Sequence, residues 1–181
     1  MSTFIALLRG FNVGSTNRIP MAALRSACEE LGWAGVRTYI QTGNIVFEAK
    51  GARTVVEREL ERRIERRFGL TIPVIARTAT EWSAYLPGNP FPEASREEPS
   101  LVMLAVSKAP PRPEAVRELE ARAARGERIV RVGDALWIHF GAGVAGSKLS
   151  PGLLDRAVGS PVTTRNWRTV LKLDQLARLP A

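Results

Sequence analysis

The first apolar runs of the chain predict a buried strand followed by an amphipathic helix. The continuous run Phe4–Leu8 is typical of a strand that is buried on both faces. Apolar side chains three or four residues apart over 21–31 predict a helix that ends at Gly32. Pro20 lies where the first helical residue favours proline. The connection between the two elements is therefore the segment 9–19.

The next part of the chain completes a recognisable order of elements. Two β-rich runs, 36–40 and 44–48, flank Gly43, which supplies the positive φ that a tight hairpin turn needs. A buried stripe with a four-residue repeat predicts a long helix over 53–68, and 72–76 is typical of a further strand. The order β-α-β-β-α-β is that of a ferredoxin-like domain.

The same order begins again after a polar, proline-rich stretch. A strand is predicted over 101–106, a helix from Pro113, and a hairpin from 128–132 and 135–140 around Gly133. The correspondence with the first part lies in the order of elements and not in sequence identity. The pattern therefore predicts an internal structural repeat.

The last part of the chain predicts two helices separated by a short extended segment. Ser150 and Pro151 are typical of the start of a helix that ends at Gly159, and Asn166 is a candidate cap for the final helix. The predicted fold is α+β, with two consecutive ferredoxin-like (βαββαβ-type) halves, antiparallel sheets and a C-terminal helix. Its predicted parts are a first half over 1–86, a linker over 87–100, and a second half with C-terminal helices over 101–181.

The first strand-to-helix connection is the best candidate for a functional loop. It runs from Arg9 to Ile19, whereas its counterpart in the second half, 107–112, is about half as long and consists largely of proline and alanine. A short connection is therefore sufficient for the fold. The longer loop, with its glycines, asparagines and arginines, calls for a reason beyond connectivity, and loops often carry function.

Composition narrows the class of protein. The 181 residues are 45% hydrophobic and 24% charged, as in an ordinary globular protein. No apolar run approaches the ~20 residues of a membrane span, and the N-terminus lacks the features of a secretory signal. The single Cys28 cannot form an internal disulfide, so a cytoplasmic location is expected. No cofactor is indicated, and no Cys/His cluster indicates a metal site.

The net charge of +8 and the pI near 10.7 admit nucleic acid as a partner. The basic residues are scattered, however, and the excess of arginine over lysine is equally explained by a coding bias. The aromatic strand signature of RNA-recognition modules is also absent. Nucleic-acid binding therefore stands as an alternative to the leading hypothesis.

The leading hypothesis is a site for an anionic small ligand, such as a nucleotide or a phosphorylated metabolite. Backbone N–H groups of a glycine-containing loop before a helix attract anions, and arginines add charge-assisted bonds. Neither the Walker A motif nor the dinucleotide-binding glycine fingerprint occurs. The candidate ligand-binding residues lie in four polar segments: Arg9, Gly10, Asn12, Gly14, Asn17 and Arg18; Gln41 and Asn44; Lys148; and Thr164, Arg165 and Asn166.

Catalytic residues are not indicated by the sequence. His139 is the only histidine, and strand alternation places it on the face of Trp137, with Leu136, Ile138 and Phe140 on the opposite face. No nucleophile elbow or distinct pair of carboxylates is present. An enzyme of unknown reaction and an oligomerisation module that pairs through sheet edges therefore stay open as alternatives, as does the oligomeric state.

Four blocks of the sequence resemble a known family. They are Phe4–Gly14 continuing to Arg18–Met21, Thr38–Phe47, Asn89–Phe91 and Thr163–Trp167. Together they resemble the bacterial family catalogued as domain of unknown function number 1697. Phe11 stands where isoleucine is more usual, and Arg18 where lysine is typical. The resemblance implies a cytoplasmic α+β protein built from ferredoxin-like elements, and it supplies no catalytic residues.

Overall fold

The structure is a computed structural model that describes residues 1–12 and 18–180. The chain forms two compact units. Unit 1 comprises Met1–Ala84 and Lys172–Ala181, and unit 2 comprises Tyr85–Leu171. Each unit contains one four-stranded sheet with helices between its strands.

The first sheet is antiparallel throughout, with the strand order β2-β3-β1-β4. Its strands and the helices that accompany them are β1 (Ser2–Leu8), α1 (Met21–Glu29), β2 (Ala34–Tyr39), β3 (Asn44–Ala49), α2 (Arg53–Phe68), β4 (Val74–Thr78) and α3 (Ala79–Tyr85).

The second sheet is also antiparallel, with the strand order β6-β7-β5-β8. The remaining elements of the chain are α4 (Pro92–Glu97), β5 (Val102–Ser107), α5 (Ala115–Glu120), β6 (Arg128–Val132), β7 (Ala135–His139), α6 (Pro151–Val158), β8 (Val162–Asn166) and α7 (Trp167–Ala177).

The two sheets have the same internal arrangement. In each, the first strand lies between the third and the fourth, and the second pairs with the third as a hairpin. Helices connect the first strand to the second and the third strand to the fourth. This is the topology expected of a β-α-β-β-α-β unit. The predicted α+β fold, with two similar halves consistent with a repeated ferredoxin-like arrangement, is confirmed.

The core of unit 1 follows the predicted periodicity. Val56, Leu60 and Ile64 form a fully buried stripe on α2, which ends at Gly69 in a left-handed conformation (φ +67°). On α1, Cys28 is fully buried within the same cluster. Burial, together with the nearby charge of Glu29, raises the pKa of the Cys28 thiol to about 12, so the group packs as a small hydrophobe.

In unit 2 the alternation along β7 separates two faces as predicted. Leu136, Ile138 and Phe140 pack in one apolar cluster with side chains of α5 and α6. Trp137 and His139 point to the other face of the sheet. The Trp137 ring lies 5.7 Å from the ring of Trp167, measured between centroids.

The predicted caps of the last two helices are present. Ser150 Oγ accepts a hydrogen bond from Leu153 N–H at the start of α6, and Gly159 ends that helix at φ +91°. Asn166 Oδ1 accepts from Thr169 N–H at 3.0 Å, so the asparagine caps α7. The start of each helix was therefore correctly predicted from local sequence.

Two segments differ from the sequence prediction. The strand expected over 72–76 is formed by β4, which begins two residues later because Pro73 has no N–H to donate. The stretch 87–100, predicted as a linker, contains α4. There Pro92 takes a first-turn position, and Asn89 Oδ1 accepts from Phe91 N–H at 2.9 Å, so Pro92 begins a helix.

The outer edge of β4 is covered by carboxylates. Alternate amides of this edge strand point away from β1, and each donates to a glutamate of α2 or α3: Val74 N–H to Glu61 at 2.8 Å, Ala76 N–H to Glu57 at 2.8 Å, and Thr78 N–H to Glu81 at 2.7 Å. At the edge strand of the second sheet, Val162 N–H donates to Asp155 of α6 at 2.8 Å. Occupied amides cannot pair with another strand.

Candidate functional site

The candidate loop borders a cavity in unit 1. The cavity has a volume of about 390 Å³, and its described lining residues are Asn12, Arg18, Ile19, Pro20 and Gln41. These residues come from the segment after β1, the start of α1 and the turn between β2 and β3. Three predicted ligand-binding residues, Asn12, Arg18 and Gln41, therefore meet at one cavity.

The Asn12 side chain joins both ends of the loop to the neighbouring turn. Its Oδ1 accepts from Ile19 N–H at 3.0 Å, and its Nδ2 donates to Ile19 O at 3.3 Å. The same Nδ2 donates to Gln41 O at 2.9 Å. Asn12 adopts a left-handed backbone (φ +53°), which asparagine tolerates better than most residues. The amide thus fixes the cavity wall and supports Gln41.

The turn between β2 and β3 has a constrained backbone. Ile40 is at φ +49°, which is uncommon for a β-branched side chain, and it is exposed. Asn44 is fully buried, and its Nδ2 donates to Tyr39 O at 3.0 Å and to Thr42 Oγ1 at 2.9 Å. Asn44 therefore supports the turn from within.

Gly43 is needed in this turn for two reasons. Its φ is +72°, and a Cβ atom there would lie 2.7 Å from Leu8 Cβ and 2.8 Å from Phe11 Cδ1. Its carbonyl also accepts from Leu8 N–H at 2.9 Å. The glycine thus lets the turn pack closely against the start of the candidate loop.

The N-terminus of α1 adds a positive electrostatic end to the cavity. Pro20, a lining residue, is the N-cap and provides no side-chain cap. The first turn of α1 contains no acidic residue. The first amides of any helix lack intrahelical acceptors, and the helix dipole favours an anion there. The cavity therefore combines this helix end with the Arg18 guanidinium.

The other predicted residues of this loop are placed elsewhere. Arg9 and Gly10 are not among the described lining residues of the cavity. The Arg9 backbone donates to Pro73 O at 2.9 Å, and Gly10 is at φ +65°. Gly14 and Asn17 lie outside the described residues.

Four predicted residues belong to unit 2. On β8, Arg165 Nη1 donates to Thr163 Oγ1 and to the Thr164 carbonyl, each at 2.8 Å. Burial lowers the pKa of Arg165 to about 10, so it stays charged near neutral pH. Asn166 caps α7, as described above, and Lys148 is exposed on the glycine-rich loop before α6.

That glycine-rich loop is fixed by two charged side chains. Arg125 donates to Ala142 O and Ala145 O at 3.2 and 2.6 Å. Glu127 accepts from Ser147 Oγ and from the Arg125 amide. Gly146 has a φ of +81°, which glycine adopts most easily, and a Cβ atom there would also lie 2.4 Å from Arg125 Nη1. The structure thus provides a local reason for the glycine in this loop.

We expect protonation of Glu127 in acid to destabilise unit 2. The hydrogen bonds from Ser147 and Arg125 hold the pKa of Glu127 below the usual range of a glutamate. A carboxyl with a lowered folded-state pKa stabilises the protein above its unfolded pKa, and that stability is lost as the pH falls through the folded pKa. Glu127→Gln should therefore flatten this part of the pH–stability profile, measured by urea unfolding at pH values below and above the usual pKa range of glutamate. Glu120→Gln, an exposed substitution on α5, is the control, and an equal flattening by it would contradict the assignment.

Metal sites and membrane spans were searched for in the described ranges, and neither was found there. Over 1–12 and 18–180, no three His, Cys, Asp or Glu side chains lie together as candidate metal ligands. In the same residues no helix has both the length and the apolar character needed to cross a bilayer.

Sequence reasoning missed the apolar part of the cavity wall and the glutamates at the sheet edge. The sequence places Ile19 in the connection and Pro20 at the helix start, and the position of Pro20 two residues after Arg18 was the available signal for the cavity. For the glutamates of α2, the i,i+4 spacing of Glu57 and Glu61 was the available signal, because it places both carboxylates on one face of the helix.

Comparison with known proteins places the chain in a family. The model of "Protein of unknown function (DUF1697)" matches residues 1–137. No curated protein matches. Among solved structures, conserved bacterial protein SP0830 from Streptococcus pneumoniae is similar in fold, with a TM-score of 0.73 and 20% identity, covering 98% of this chain and 99% of that chain. The family match spans most of the chain, and the protein therefore belongs to the DUF1697 family.

Proposed function

We propose that unit 1 binds an anionic small molecule, a nucleotide or a phosphorylated metabolite, in the cavity at the start of α1. One observation carries the proposal: the Arg18 side chain and the N-terminus of α1 border the same cavity of about 390 Å³. A guanidinium and helix amides are the usual protein partners of phosphate and carboxylate groups.

The shape and lining of the cavity support a ligand with more than a bare anionic group. Pro20 provides exposed apolar surface, and Gln41 provides an amide. Small-molecule sites typically combine such apolar walls with a few orienting polar groups. The positive φ of Ile40, next to Gln41, is a further supporting feature, because strained backbone concentrates at functional sites.

The proposal is tested by titrating the protein with AMP, inorganic phosphate and adenosine while following the thermal midpoint and the heat of binding. We expect AMP and phosphate to bind, and AMP to bind more tightly, because its base and ribose reach the apolar wall. Adenosine lacks the anion and should bind weakly. Absence of any response to the two anions would contradict the proposal.

Arg18→Gln should weaken AMP binding by about tenfold or more, since a hydrogen bond to a charged group contributes about 1.5–3 kcal/mol. Arg18→Lys should lose less, because it keeps the charge but not the planar fork. The matched control is Arg58→Gln, which removes the same charge from a separate cavity of unit 1. An equal loss in the control would mean that binding depends only on net charge.

A further inference from the structure

The one histidine of the chain lies among three side chains of unit 2. His139 Nδ1 is 3.2 Å from Arg128 Nη2. Its Nε2 is buried without a hydrogen bond in the described part of the chain, and Glu98 Oε2 lies 3.5 Å away. The imidazole ring is 5.8 Å from the Phe91 ring, between centroids. The histidine thus has a cation on one side and a carboxylate on the other.

Arg128 connects the histidine to the start of α4. Its guanidinium carbon lies 4.8 Å from the centre of the Phe91 ring, within cation–π distance. Phe91 is buried, and its carbonyl accepts from Ser95 N–H at 2.9 Å in the first turn of α4. Arg128 on β6 therefore holds Phe91 and His139 at once.

The chemistry of the contact fixes the tautomer of His139. A guanidinium can only donate, so Nδ1 must offer its lone pair to Arg128. The ring proton of the neutral histidine then lies on Nε2, facing Glu98. Since Val102, the residue paired with His139 on β5, is uncharged, Arg128 and Glu98 are the charged groups in contact with the ring within the described part of unit 2.

We propose that His139, Arg128 and Phe91 form a pH-sensitive clamp on α4. When His139 Nδ1 takes up a proton from solvent, it loses the lone pair that accepts from Arg128. The imidazolium and the guanidinium are then two positive charges in contact. The protonated ring keeps its Nε2–H towards Glu98, and Arg128 leaves both the ring and Phe91. The clamp is closed with neutral histidine and open with protonated histidine.

The clamp is tested by NMR, in which the single histidine gives unambiguous ring signals. At neutral pH the ring nitrogens should report the Nε2–H tautomer. Through the titration of His139, amide exchange at Ser95 and Glu98, corrected for its intrinsic pH dependence, should become about fivefold faster, as expected for the loss of a cation–π contact. The Phe91 ring signals should shift with the same midpoint.

Two variants separate the clamp from a general effect of acid. In Arg128→Leu, amide exchange in α4 should no longer change when His139 is protonated. Arg131→Leu, on the same strand with its guanidinium bonded to the Gly133 carbonyl, keeps the wild-type response. The wild-type protein alone can overturn the clamp. It would do so if the amide exchange rates in α4 and the Phe91 ring signals both stayed constant through the pH titration. An Nδ1–H tautomer at neutral pH would overturn it as well.

Discussion

Gly43→Ala is expected to lower the free energy of unfolding by about 2–5 kcal/mol, the sum of a left-handed backbone penalty and an overpacking penalty. The new Cβ would meet Leu8 and Phe11 at 2.7 and 2.8 Å, and both side chains are buried. Relief requires movement of the segment that leads into Asn12. Urea unfolding measures the loss, and AMP titration of the same variant reports on the cavity.

The second half of the chain offers a matched control for this substitution. Gly133 occupies the corresponding hairpin between β6 and β7 with a φ of +59°, and a Cβ there would have no atom within 4 Å. Gly133→Ala should therefore cost only the backbone penalty of about 1–2 kcal/mol. Equal losses in the two variants would show that close packing at Gly43 has no energetic consequence.

Glu57→Ala is expected to destabilise the protein by about 2–3 kcal/mol, because the buried Ala76 N–H loses its acceptor and the apolar stem of Glu57 is removed. Glu57 is itself only 4% exposed, so water does not readily replace it. The opened edge of β4 should also increase self-association. Urea unfolding and size-exclusion chromatography at several protein concentrations measure the two effects.

Two further variants test whether the effect belongs to the edge amide. Glu57→Gln keeps a carbonyl oxygen that accepts from Ala76, so its loss should be clearly smaller. Glu59→Ala removes an exposed glutamate of the same helix and should change stability by less than about 0.5 kcal/mol, as is usual for surface sites. A loss in either variant as large as that of Glu57→Ala would contradict this explanation.

The elements of the fold could be predicted because their signals are local. The Val56–Leu60–Ile64 repeat, the Ser150–Pro151 start and the Asn166 cap each depend on neighbouring residues. The order of such elements then restricts the topology to few arrangements. The helix within 87–100 was missed because its start depends on Asn89, whose side chain forms the bonds that turn Pro92 into a helix opener.

The roles of the polar loop residues could not be predicted, because they depend on partners distant in sequence. Asn12 is 29 residues from Gln41, whose carbonyl it binds. The sequence marks Asn12 and Asn44 as hydrogen-bonding side chains but does not say whether a ligand or the backbone receives the bonds. The structure gives Asn44 to the turn and Asn12 to the loop ends, whereas Arg18 and Gln41 line the cavity of the binding proposal.

The alternative functions are affected differently by the structure. Association through sheet edges has to avoid the outer side of β4, where the outward amides are already bonded to glutamates. On α2, Arg63 and Arg67 pair with Glu30 at 3.0 and 2.5 Å, so part of the basic charge is used within unit 1. The binding proposal for the cavity depends on neither feature.

The carboxylates along β4 also have a consequence for the order of folding. Until α2 docks, the amides of Val74 and Ala76 can pair with a strand of another chain, and such transiently open edges promote aggregation. Docking of α2 must therefore accompany the addition of β4 to the sheet. Since α2 directly precedes β4 in the chain, the helix that covers this edge emerges from the ribosome before the strand that needs it.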